Sequence, residues 1–232
     1  MDLNENAALI GFLRQFKLDN RLHAFDQVLA ARTRYLTVVL ENIDHSHNQS
    51  AVLRSCECFG IQDVYVIDDH KPLNLHKNVA MGSYKWLTLK RYNRMGLQNT
   101  PVAIADLKAK GYRIVATTPH EPSTPLEQFD IEGGPAALVF GAEQTGVSTY
   151  LKNHADAFLT IPTVGFTQSL NISVSAAIIL QHLTGRLRQS NLLWSLNASE
   201  QQELMLEWLR KTIPKVELLE QRFHLNNNTS LE

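Results

Sequence analysis

The sequence predicts an α/β domain: a mainly parallel sheet with helices on both faces, flanked by short helical N- and C-terminal arms. Three observations predict it. Short β-branched apolar runs recur, they alternate with stretches of helical period, and both ends of the chain carry helical patterning without strands. Such alternation makes βαβ units, whose strands pair in parallel and need both sheet faces covered.

Residues 3–16 (LNENAALIGFLRQF) and 21–31 (RLHAFDQVLAA) carry apolar residues at helical spacing and form the N-terminal arm, 1–35. Leu36-Thr37-Val38-Val39-Leu40 then opens the central domain, 36–190, as a buried strand. Asn48 to Phe59 follows as a helix, with Asn48 a suitable N-cap and Gly60 a suitable stop. Strands are expected at 63–68 (DVYVID), 86–90 (WLTLK), 112–117 (YRIVAT), 136–140 (AALVF) and 157–161 (AFLTI). Helices at 101–110 and 145–153 fall between them. Ser169 to Gln189 reads as one helix of roughly 30 Å at about 1.5 Å per residue. Its middle, Val174 to Leu180, is apolar nearly all round, which calls for burial, against another subunit if not within the chain. In the C-terminal arm, 191–232, Ser199-Glu200 starts an amphipathic helix and Pro214 allows a further short one.

Composition excludes several classes. Of 232 residues, 44% are hydrophobic and 19% charged, enough for one substantial core. There is no apolar run of membrane-spanning length, and Met1-Asp2-Leu3-Asn4-Glu5-Asn6 lacks the pattern of a signal peptide. Cys56 and Cys58, two apart in a helical stretch, point to different faces, so no disulfide is expected and a reducing, cytoplasmic setting fits. Neither they nor the nine histidines show ligand spacing, and no metal is expected. The net charge is −1, yet nine Lys/Arg stand against one acid, Asp106, between Lys71 and Arg113. From Glu121 to Asp156 six acids face only Lys152. The basic stretch reads equally as a phosphate-facing stripe or as solvated helix ends.

Ligands in such sheets sit beyond the carboxyl ends of strands, so three loops matter most. After 36–40 come Asn48, Ala51 and Arg54 in an N-x-x-A-x-x-R pattern, whose spacing brings an amide, a small residue and a guanidinium roughly to one helical side. After 136–140 comes Gly141-Ala142-Glu143-Gln144-Thr145-Gly146, a tight turn around a carboxylate; it is neither a P-loop nor a dinucleotide fingerprint. After 157–161 comes Ile161-Pro162-Thr163-Val164-Gly165-Phe166-Thr167-Gln168-Ser169-Leu170-Asn171, leading into a helix whose first turns hold Ser173 and Ser175. Taken singly, each reads as readily as a capped helix or plain turn.

Together, NQSAVLR, LVFGAEQTG and IPTVGFTQSLNISVSAA resemble, in order and spacing, the three motifs of the SpoU/TrmH family of RNA 2′-O-ribose methyltransferases, within the SPOUT superfamily. The resemblance covers residues 33–190 and reaches into both arms. One departure is Ser46, where the family often has proline. The resemblance implies a C-terminal trefoil knot, which periodicity does not show, and a homodimer with its active site at the interface. It implies S-adenosylmethionine as cofactor, held by Thr117, Gly141, Ile161 and Leu170. Arg54 takes the central catalytic role, with Asn48, Glu143, Ser169 and Asn171 holding the geometry. Because a guanidinium is a poor base near neutral pH, Arg54 is read as orienting the RNA and stabilising developing charge. About 35 residues before the first strand are too few for a separate RNA-binding domain, which favours the tRNA branch, acting on guanosine 18 of the D-loop. The alternatives are a ribosomal-RNA ribose methyltransferase and a catalytically silent RNA-binding member of the fold.

Overall fold

Leu36–Glu41 forms β1, and all six of its residues are buried. That burial is possible because the computed structural model, which describes residues 3–69, 80, 82–119 and 122–229, places β1 inside a seven-stranded sheet. The other strands are β2 (Asp63–Ile67), β3 (Thr88–Tyr92), β4 (Arg113–Thr117), β5 (Thr124–Pro125), β6 (Ala136–Phe140) and β7 (Ala157–Thr160). Their order is β3-β2-β1-β6-β4-β7-β5, and every pairing is parallel. The chain runs outward from β1 through β2 to β3, then builds the opposite half, so the strand order reverses between β1 and β6.

Alternation along β1 feeds two cores. Leu36, Val38 and Leu40 pack with Val52, Leu53 and Cys56 of α3 (Ser46–Cys58) and with Ala176, Ile179 and Leu183 of α6 (Ile172–Gln189). Val39 faces the other way, toward Ala103, Ile104 and Leu107 of α4 (Asn99–Ala109) and Leu151 of α5 (Thr149–His154). Each fully buried Leu, Ile or Val among them contributes about 1.5–3 kcal/mol. Cys56 is buried and Cys58 exposed, both as free thiols.

Several boundaries move from those expected. β3 begins two residues late because Ser83–Trp86 winds into a 3-10 turn. β5 is a two-residue edge strand that no apolar run announces. Helix α5 starts at Thr149, after a turn, because the Ser148 hydroxyl accepts from Leu151 N–H. Helix α6 starts at Ile172, since Asn171 is its N-cap, and its 18 residues span about 27 Å. Asn48 is not the N-cap of α3; His45 occupies that place.

Residues 33–194 make one compact unit, and residues 1–32 with 195–232 make another. The second unit holds α1 (Leu3–Arg14), α2 (Asp19–Ala30), α7 (Ala198–Thr212) and α8 (Val216–Thr229). Within it, Trp208 is buried edge-on to Phe25, their ring centroids 5.7 Å apart. Helix α7 starts one residue earlier than Ser199, because Asn197 and Glu200 form a reciprocal capping box. Among the described residues no helix is long and apolar enough to cross a membrane.

The described part of the basic stretch is spread over several elements. Lys71 and Lys77 lie outside the described residues. Lys90 pairs with Asp63, Lys108 with Asp156, and Arg113 donates to the carbonyls of Asp130 and Gly134. Lys90 on β3 and Arg113 on β4 are separated by three intervening strands.

Candidate functional site

Where the strand order reverses, the carboxyl ends of β1 and β6 lie side by side, the position at which parallel sheets bind ligands. The loop after β6 is a tight turn. Gly146 N–H donates to Ala142 O at 2.8 Å, and Gly146 has φ +67°, a conformation side chains resist. Gly141 is required for closeness: a Cβ there would stand 2.2 Å from the Gly146 carbonyl carbon.

This loop, the loop after β7 and the end of β4 line a cleft of about 530 Å³. Seven of the residues singled out from sequence line it: Thr117, Gly141, Glu143, Ile161, Ser169, Leu170 and Asn171. Its apolar wall includes the buried Leu159 and Ile172. Lys152, noted in the sequence only as the lone base of an acidic stretch, also lines it. The Thr117 hydroxyl is committed to Val139 O at 2.9 Å, so the cleft is offered largely main chain at this point.

One side chain from each loop joins a relay. Asn48 Nδ2 donates to Glu143 Oε1 at 2.7 Å, and Asn171 Nδ2 donates to Asn48 Oδ1 at 3.3 Å. Asn171 Oδ1 accepts from Ser173 N–H at 2.8 Å, while Glu143 Oε2 accepts from Asp44 N–H at 3.3 Å. The direction of the relay is forced. A carboxylate only accepts, so Asn48 must turn its NH₂ to Glu143 and its oxygen to Asn171, which leaves the Asn171 oxygen to cap α6. The residues joined are 95 and 123 positions apart.

Arg54 is not part of the relay, nor does it line the cleft. It is exposed, and its side chain makes no hydrogen bond or ion pair among the described residues. It opens instead into a neighbouring hollow of about 500 Å³, with Ala51, Cys58, Phe59, Val174 and Ile178. The separation follows from helical geometry: each three-residue step falls about 60° short of a full turn, so Arg54 has rotated away from Asn48. Among the described residues, no three His, Cys, Asp or Glu side chains are grouped to hold a metal ion.

The chain is 39% identical over 211 residues to the tRNA (guanosine(18)-2′-O)-methyltransferase of Borreliella burgdorferi, covering 91% of this chain and 94% of that protein. Among solved structures it resembles the A. aeolicus TrmH/SpoU tRNA modifying enzyme, with a TM-score of 0.74 and 28% identity, over 85% of this chain and 98% of that one. An AdoMet-bound rRNA methyltransferase from Sinorhizobium meliloti shares the fold at a TM-score of 0.59 and 24% identity, over 68% of this chain and 58% of that one. The model of the SpoU rRNA Methylase family matches residues 35–181, which take in the whole sheet and all three loops, and on that match this chain belongs to the family.

Proposed function

We propose that this chain is an S-adenosylmethionine-dependent tRNA 2′-O-ribose methyltransferase acting on guanosine 18 of the D-loop. The observation that carries the reading is the relay of Glu143, Asn48 and Asn171, which joins the three family loops into one rim, while Arg54 on the same helix as Asn48 has no partner among the described residues. The cleft fits the cofactor. Leu159, Ile161, Leu170 and Ile172 offer apolar walls to an adenosine, and the Gly141–Gly146 turn brings main-chain groups close without side chains in the way. Bound there, S-adenosylmethionine supplies an electrophilic methyl group.

The chain's own residues supply positioning. Arg54, free to form two parallel hydrogen bonds, orients an RNA phosphate and the ribose hydroxyl and steadies charge building on the 2′ oxygen. Glu143 fixes Asn48, Asn48 fixes Asn171, and Asn171 fixes the start of α6, beside which Ser169 faces the cleft. Holding reacting groups in place is worth several kcal/mol of barrier.

Two further features belong to this reading. The chain is a homodimer, supported by half-exposed Val174 and Ile178 beside the apolar hollow that holds Arg54. The segment from β7 into α6 passes through a trefoil knot, supported by family membership. The loops after β6 and β7 line one cleft although β4 lies between those strands, which also favours it. Two free cysteines are consistent with a cytoplasmic setting.

The deciding experiment is methyl transfer from labelled S-adenosylmethionine to unmodified tRNA, with the product nucleoside mapped. Label recovered as 2′-O-methylguanosine at position 18 is the expected result. Label on another ribose, or on ribosomal RNA alone, would overturn the substrate. Binding of tRNA without transfer would overturn the enzyme.

A further inference from the structure

We propose that Glu41 is a positioning residue for cofactor binding, clasping the far end of the loop after β6 at Ser148. This rests on the cleft being the S-adenosylmethionine site. Glu41 ends β1 and is only 1% exposed. A carboxylate so buried must have its oxygens satisfied. Oε1 accepts from the Thr100 hydroxyl at 2.7 Å, and Oε2 accepts from Ser148 N–H at 2.8 Å.

The second bond is the functional one. Ser148 caps α5, so fixing its N–H fixes where the loop stops and the helix starts. The other end of the loop is fixed by β6. Between the two anchors lie Gly146, which lines the cleft, and Glu143, which reaches back to Asp44 and Asn48. The clasp is therefore reciprocal. The root of the first loop holds the end of the second through Glu41, and the middle of the second holds the first through Glu143.

The first bond ties the same carboxylate to the start of α4. That helix start has its own tether. Asn42, at φ +51°, donates to Asp69 at 3.1 Å and accepts from Asp69 N–H at 2.8 Å, and Asp69 Oδ1 accepts from Asn99 Nδ2 at 2.8 Å. Losing Thr100 thus leaves α4 still held, whereas losing Glu41 frees the far end of the loop, at Ser148. A freed loop must be ordered again when a ligand binds, and that lowers affinity.

Wild type, Glu41→Ala, Glu41→Gln and Thr100→Val separate this role from a merely structural one. The readouts are S-adenosylmethionine affinity by calorimetry, amide exchange at Gly146 in the ligand-free protein, and melting temperature. Glu41→Ala is expected to weaken cofactor binding about tenfold, as for one charge-assisted hydrogen bond, and to speed exchange at Gly146. Glu41→Gln keeps an oxygen for Ser148 N–H and turns its NH₂ to the Thr100 hydroxyl, restoring affinity to within about threefold. Thr100→Val lowers the melting temperature and leaves both affinity and Gly146 protection as in wild type. If Glu41→Ala is too unstable to purify, Glu41→Asp, one methylene short of both partners, takes its place with the same expectation. Wild-type affinity in the Ala or Asp variant would overturn the clasp, as would an equal loss in Thr100→Val. A wild-type protein that does not bind S-adenosylmethionine would overturn the reading of the cleft instead, and Gly146 exchange would still report on the clasp.

Discussion

At the amino end of β2, Asp63 is held between two cations, Arg34 at 3.1 Å and Lys90 at 3.4 Å. At the carboxyl end of β6, Glu143 is held by an amide and a main-chain N–H. Both clusters recruit residues far apart in sequence, and both would catch the eye in a search for polar side chains. They differ in what remains unspent. Around Asp63 the lysines turn inward: Lys90 and Lys110 both donate to the Tyr65 hydroxyl, at 3.1 and 3.3 Å, and both sit over its ring. Around Glu143 the partners are neutral and a cleft adjoins, while two helical steps along α3 from its partner Asn48, Arg54 stands exposed without a partner among the described residues. Polar density is common to structure and function; unspent hydrogen-bonding capacity beside a cleft is what separates them.

The sharpest way to break the comparison is to remove the unspent group. Arg54→Ala is expected to lower methyl transfer by about 10³-fold, with melting temperature and cofactor affinity unchanged. Arg54→Lys keeps the charge and loses the planar fork, and is expected to remain about 10²-fold down. Near-full activity in the lysine variant would show that charge alone suffices. Next in size is the relay. Asn48→Ala and Glu143→Ala should each lower methyl transfer by about 10- to 100-fold, and the double variant should be little worse than either, since both cut the same chain. Strict additivity in that cycle would mean that the two residues act separately. Asp63→Ala is the counterpart on the other side. It leaves two cations without their carboxylate, and because both are partly solvated the cost is about 1–3 kcal/mol of stability. Methyl transfer per folded molecule should not change, and a drop there would dissolve the distinction between the clusters.

How much of this was legible in the sequence follows from distance along the chain. Strands β1, β2, β4 and β6 announce themselves because strands buried on both faces must be apolar runs. Thr124–Pro125 does not, since two residues carry no period. Asn48 reads in the sequence as a helix cap because an amide near a helix start usually serves that end. Here its NH₂ is claimed by a carboxylate 95 residues away, and no local pattern reports that. The loops were legible as motifs, and the glycines at 141 and 146 as turns. The relay was not, because it exists only once β1 and β6 are neighbours. Glu41 is hidden in the sequence for a related reason: at a strand end a carboxylate reads as solvent-facing, and its burial depends on α4 and the loop after β6 closing over it.

The smallest expected effect tests the closed cluster by pH. Burial is the largest single influence on Lys90 and lowers its pKa, but the Tyr65 hydroxyl and the Asp63 carboxylate together outweigh it and hold it above the ordinary lysine value. A folded-state pKa raised above the unfolded one contributes stability that is fully present below the unfolded pKa and is lost as pH rises through the folded one. The window therefore opens above the ordinary lysine value of about 10.4. Tyr92 adds a slope of the same sign, since burial and the hydrogen bond to Asp106 raise its pKa as well. Chemical denaturation between neutral and strongly alkaline pH should show stability falling in that window. Lys90→Met and Tyr92→Phe should each flatten part of the fall, by less than about 1 kcal/mol for the lysine because its side chain is about a third exposed. An unchanged slope in Lys90→Met would mean that the inward turn of the lysines contributes nothing to stability. In that case Lys90 and Lys110 would have to be counted among the charges available to RNA, and the two clusters would no longer be opposites.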